Sequence, residues 1–207
     1  MNKKYYDKDV LSYIDHSILL NPFFDEWYGY VESILLNDEF QKRKLFPHHH
    51  NLSVWDHSIL VSFRSFIMAK TFNADERKTA IAGLLHDFYP WAWMYNEELE
   101  DLDGGKYLEE VYTKHPLFEM HGFTHANAAA ENYVKFFPEL EDEIITNAIK
   151  RHMFPLNIVP PKTKEGFIIT FVDKVNSFNE LPSPSFVTDK IKNSKVVIWA
   201  TKTIGTR

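Results

Sequence analysis

The apolar run Ala80-Ile81-Ala82-Gly83-Leu84-Leu85 stops on His86-Asp87. Two donors of the kind that bind metals thus stand side by side where an apolar helix ends. Taken alone, a histidine in that place is usually a packed or capping residue. The spacing of similar residues elsewhere narrows the choice. His57 precedes His86 by 29 residues, His125 follows Asp87 by 38, His152 follows by a further 27 and Asp173 by a further 21. Each gap is about the length of one helical hairpin. Donors on separate helices at such intervals can converge on one point, and the chain reads as all-α.

Periodicity supplies the helices. Residues 8–20 give a short helix with Val10, Leu11, Ile14 and Ile18 on one side and His16 at the surface. Asn21-Pro22 is a helix start, with Asn as cap and Pro in the first position. Phe23, Trp27, Tyr30, Val31 and Ile34 then recur at helical spacing to about residue 36. A further short helix through Phe40 and Leu45 precedes Pro47. Residues 1–46 are read as extra N-terminal helices packed on a core of residues 47–180, with a linker and tail over 181–207.

Within the core, a helix over 54–71 carries the stripe Ile59, Phe63, Phe66 and Ile67. His57 lies one turn before Leu60 and Val61 and so faces inward. Asn73-Ala74-Asp75-Glu76 has a capping-box pattern and opens the helix that ends at His86. Pro90 disfavours continuation at Tyr89. Residues 96–116 are acidic, contain Gly104-Gly105, and read as a connector or a lid. Gly122 breaks the next helix at its start, and His125 stands first on the stripe Ala126, Ala129, Ala130, Tyr133, Val134 and Phe137. Pro138-Glu139 begins another helix, whose buried face of Leu140, Ile144, Ile145, Ala148 and Ile149 continues to His152. The last core helix spans 164–178.

Burial makes these donors expensive. An imidazole at the end of an apolar stripe needs a polar partner. Asp173 is the only acid in the stretch 167–175, and a buried carboxylate without compensation costs roughly several kcal/mol. Its partner is either Lys174, another helix, or a bound cation; the other donors favour the cation.

The strings Ser53-Val54-Trp55-Asp56-His57-Ser58, Gly83-Leu84-Leu85-His86-Asp87, His125-Ala126-Asn127-Ala128-Ala129-Ala130, Ala148-Ile149-Lys150-Arg151-His152 and Phe171-Val172-Asp173-Lys174, in that order, resemble the HD-domain superfamily of metal-dependent phosphohydrolases over roughly residues 48–178. The resemblance implies an HD-domain-like helical bundle. It implies that His57, His86, Asp87, His125, His152 and Asp173 hold one or two divalent ions, with Asp87 able to bridge two. It implies a hydrolase that attacks a nucleotide or other small phosphate ester with a metal-activated water, with Asp87 and His121 in catalysis. His121 is otherwise a partner behind a ligand, a ligand of a second ion, or a pocket residue. No lysine appears in residues 88–105, where relatives often carry one shortly after the doublet.

Composition bounds the alternatives. The 207 residues are long enough for one substantial core, and 17 Phe, 10 Tyr and 5 Trp exclude wholesale disorder. A net charge of −6 argues against an extended nucleic-acid surface. Without cysteine, any metal must be held by nitrogen and oxygen, which suits Fe, Mn, Co, Ni or Zn. No apolar run reaches the ~18 residues of a membrane helix. The start lacks the apolar stretch of a signal peptide, so the expected location is the cytoplasm.

Other residues offer themselves for substrate. In His48-His49-His50, either the run is an exposed loop or His50, seven residues before His57, leans into the pocket. Arg64 either meets a phosphate or packs its stem. Trp91, Trp93 and Tyr95 either plug the core or wall the pocket and stack on a flat ring. Asp56 and Glu131 are candidates to accept the second N–H of ligating imidazoles. Two other functions suit the same donor set: a di-iron oxygenase of the HD fold, which would use His121, and a non-catalytic sensor that binds a nucleotide.

Overall fold

The computed structural model describes residues 8–48, 52–92, 98 and 121–180. Among these, regular structure is helical: α1 Lys8–Leu11, α2 His16–Leu19, α3 Phe24–Leu35, α4 Asp38–Gln41, α5 Val54–Phe72, α6 Glu76–Leu85, α7 His121–Phe136, α8 Glu143–Arg151 and α9 Lys164–Glu180. An isolated antiparallel bridge joins Pro47 to Ser53. The all-α expectation holds. No helix among the described residues is long and apolar enough to cross a membrane.

Caps decide the boundaries that periodicity misplaces. The expected helix over 8–20 is two short ones, because Asp15 caps a new start at α2 by accepting the Ser17 amide at 2.8 Å. Asn21 accepts the Phe23 amide at 3.0 Å, and α3 begins only at Phe24, two residues past Pro22. Asn73 does not open α6. It closes α5 in the left-handed conformation (φ 52°), and Asp75 caps α6 instead. Pro138 starts a single 3-10 turn, after which Asp142 caps α8 through the amides of Ile144 and Ile145. Gly122 lies inside the first turn of α7 and does not break it; amides there lack intrahelical partners in any sequence.

Helix α5 is the hub. It packs against α6 and α9, while α8 packs against α6, α7 and α9. The approach of α6 to α5 needs Gly83, where a Cβ would come within 3.0 Å of the Ser62 Cα. One turn earlier a polar relay crosses three helices. The Trp27 indole on α3 donates to Ser62 Oγ at 2.9 Å, and Ser62 Oγ donates to the Ala80 carbonyl at 2.7 Å. Tyr133 on α7 donates to the Leu140 carbonyl and accepts the Asp142 amide at 3.1 Å, which fixes the turn into α8. One hydrophobic cluster runs from Val10 to Val175, so the N-terminal helices share the core of the rest.

Trp27 and Ser62 are both inaccessible to solvent. Ser62→Ala therefore strands the indole N–H, and urea denaturation should show a loss of about 1–3 kcal/mol. An unchanged midpoint would mean the relay contributes nothing.

Candidate metal centre

Two helices end in the same way. His86 follows α6 and turns its Nδ1–H back onto the Gly83 carbonyl at 2.8 Å. His152 follows α8 and does the same to the Ile149 carbonyl at 2.7 Å. Each bond satisfies a carbonyl that the helix end would otherwise leave open. Each also settles the tautomer of a neutral ring, because a nitrogen that donates to a carbonyl carries the hydrogen. The lone pair is then on Nε2, and both Nε2 atoms face the middle of the bundle.

Four more donors meet them there. His57 comes from the first turns of α5, His125 from α7, Asp173 from α9, and Asp87 from the turn just past His86. All six residues are buried. His57 Nε2 lies 3.2 Å from Asp173 Oδ1, and His86 Nε2 lies 3.5 Å from Asp87 Oδ2 and 3.7 Å from Asp173 Oδ1. On the other side, Asp87 Oδ1 is 3.3 Å from His125 Nε2 and 3.6 Å from His152 Nε2. The Nε2 atoms of His125 and His152 are 3.0 Å apart. The two oxygens of Asp87 thus face different imidazoles.

Electrostatics matches this arrangement. Burial raises the Asp87 carboxyl, but positive charge at the surrounding rings of His86, His125, His152 and His57, or on a cation held among them, outweighs burial and holds it far below the ordinary carboxylate range. Burial likewise opposes ionisation of Asp173, and Lys174, His57 and His86 reverse it. The Lys174 ammonium sits 2.6 Å from Asp173 Oδ2. Burial, with His86 and His125 beside it, pushes His152 well below its ordinary value against the pull of Asp87 and Asp173. Anionic carboxylates and a neutral imidazole are the protonation states that metal binding requires.

A divalent ion fits these residues. His86 Nε2 and Asp87 Oδ1 are buried without a hydrogen-bond partner, although stranded polar atoms of that kind are costly. Two overlapping sets, His57-His86-Asp173 and His86-Asp87-His152, each bring their donor atoms within 4.8 Å of one another. The 3.0 Å between His125 and His152 is the separation of adjacent ligands at about 2.1 Å from one octahedral ion.

The remaining expectations fare unevenly. Asp56 does not support an imidazole: it accepts from the Ser53 amide at 2.9 Å and completes a capping box at the start of α5. Glu131 is exposed. Arg64 donates to Asn176 on α9 and lines a cleft of about 440 Å³ with Ser12, Asp15 and Leu52, a cleft that none of the six donors lines. Trp91 is half-buried; the ring set against a donor is Tyr89, 5.9 Å from His125. His50, Trp93, Tyr95 and the side chain of His121 lie outside the described residues. Sequence reasoning missed Tyr89 and His48. His48 is buried with its ring 4.2 Å from that of His57. Its only sequence signal was the triple-histidine run.

Behind the donors the chain is locked. The carbonyl of Phe88 accepts from Asn132 of α7 at 2.9 Å. The Phe88 ring lies 4.4 Å from the Arg43 guanidinium, which is fully buried between it and Phe46. This plug follows Asp87 directly.

The folded state keeps His152 below its unfolded pKa, so below about pH 6.5 the unfolded chain binds more protons and stability falls. The two carboxylates add a second loss below about pH 4, where the unfolded chain protonates them first. Thermal denaturation of metal-stripped protein should show both steps. His152→Gln should flatten the step between pH 6.5 and 4.5; an unchanged profile would contradict the buried neutral imidazole.

A model of the HD-domain family matches residues 54–177, more than half of the chain. No curated protein and no solved structure matches it. The matched span contains all six converging donors. With a helical bundle, a His-Asp doublet at a helix end and a shared buried donor cluster, the chain belongs to the HD-domain family.

Proposed function

We propose that this chain is a metal-dependent phosphohydrolase acting on a nucleotide or other small phosphate ester. The observation that carries the reading is the convergence of His57, His86, Asp87, His125, His152 and Asp173, drawn from five stretches of chain, with the lone pairs of His86 and His152 held inward. A bound Fe, Mn, Co, Ni or Zn ion would acidify a water into a nucleophile at neutral pH and draw charge from the phosphoryl oxygens.

The protein's own groups do the positioning. Asp87 presents one oxygen towards His86 and the other towards His125 and His152, an arrangement that serves one ion or two. Phe88, fully buried directly after Asp87, sets hydrocarbon next to the doublet. Lys174, partly exposed beside Asp173, brings positive charge to the edge of the donor set, which favours an anionic ester. In this reading His121, one turn before His125 in the chain, moves the proton at the leaving oxygen. His50, Trp91 and Trp93 contact the substrate.

Protein loaded with Mn²⁺ or Co²⁺ should hydrolyse members of a panel of nucleotides and simple phosphomonoesters. His57→Ala and Asp87→Ala should each lose metal, and turnover should fall by roughly a thousandfold or more. Full activity in either variant would contradict the reading. So would oxygen consumption without phosphate release, which belongs to a di-iron oxygenase, or tight nucleotide binding without turnover, which belongs to a sensor.

A further inference from the structure

His48 lies before residue 54, where the family match begins, and the six-residue donor set does not include it. Its position is nevertheless built. The His48 amide donates to the Leu52 carbonyl at 2.9 Å and the Val54 amide donates to the Phe46 carbonyl at 2.8 Å, on either side of the Pro47–Ser53 bridge. This pairing clamps the chain at the foot of α5, where the Ser53–Asp56 capping box holds the first turn. Phe46 in turn stacks on Tyr89, and Tyr89 packs edge-on against His125. The backbone that carries His48 is therefore tied both to the helix bearing His57 and to the wall of the site.

The side chain reaches the donors. Its ring lies 4.2 Å from the His57 ring at 40°, and it is 8% exposed. A nitrogen of His48, a nitrogen of His57 and an oxygen of Asp87 all lie within 4.8 Å of one another. The two sets formed by the six residues alone fall within the same limit.

We propose that His48 is a seventh metal-ligating residue, which completes with His57 and Asp87 a further position for a divalent transition ion. The proposal rests on the reading that the centre holds metal. Seven donors exceed the six places around one octahedral ion, so the seven-residue centre takes two. Asp87, with two carboxylate oxygens, is common to both positions, whereas the His57 imidazole offers one lone pair and serves one ion.

The test is Co²⁺ binding to the full chain, read by metal analysis after buffer exchange, by titration and by the visible spectrum. Wild type should hold about two equivalents. His48→Gln should keep the wild-type melting temperature in chelator. It should lose one equivalent, or bind it about tenfold or more weakly, with a changed Co²⁺ spectrum. His48→Asn serves if the Gln variant does not fold. If neither folds, proton spectra of Co²⁺-loaded His121→Ala protein decide: five strongly shifted imidazole N–H signals support the proposal and four overturn it. A folded His48→Gln with wild-type stoichiometry, affinity and spectrum overturns it as well. Failure of the underlying reading looks different: Asp87→Ala would then bind Co²⁺ as wild type does.

Discussion

A buried carboxylate is tolerable only beside positive charge, and this bundle buries two of them within reach of the same imidazoles. Lys174 answers part of the charge of Asp173, but Asp87 is surrounded by rings of which His86 and His152 point lone pairs, not hydrogens, towards it. Protonating every imidazole would bring four positive charges into the core, and burial drives His152 the other way. A divalent cation resolves both demands at once: it supplies charge to the acids and an acceptor for the lone pairs. The packing of α5, α6, α8 and α9 makes that shared point.

Much of the surrounding structure keeps the donors still. Gly83 is small enough for α6 to press on α5, and its carbonyl is also the one that orients His86. One residue thus sets a helix separation and a ring tautomer. The buried Arg43 binds the Glu39 carbonyl and carboxylate and lies over Phe46 and Phe88. A cation there fixes Phe88 immediately after Asp87, and so fixes the doublet without touching it. Where a site needs ligands placed to a fraction of an ångström, such supporting contacts matter as much as the donors.

What could be read from the chain in advance was what periodicity and donor spacing carry. The amphipathic stripes of α3, α5, α7, α8 and α9 located the helices, and the order of histidines and aspartates located the six donors that the structure brings together. Local hydrogen bonds defeated the rest. Asp15 caps a helix where the apolar pattern runs on, and Asp75 takes the capping place expected of Asn73, which adopts a left-handed end that its sequence neighbours do not reveal. Asp56 looked free to support a ligand until Ser53 claimed it. His48 reaches His57 across the Pro47–Ser53 bridge, where helical spacing carries no information, and His50 lies outside the described residues. Arg64 shares a face with His57 in projection, yet Asn176 draws it towards α9.

Metal analysis of protein purified without added metal is the most direct check on the shared cation. The account predicts at least one equivalent of a transition metal that prefers nitrogen and oxygen ligands, and a lower melting temperature once a chelator removes it. A chain that carries no metal, and gains no thermal stability from Mn²⁺, Fe²⁺, Co²⁺, Ni²⁺ or Zn²⁺, would contradict it.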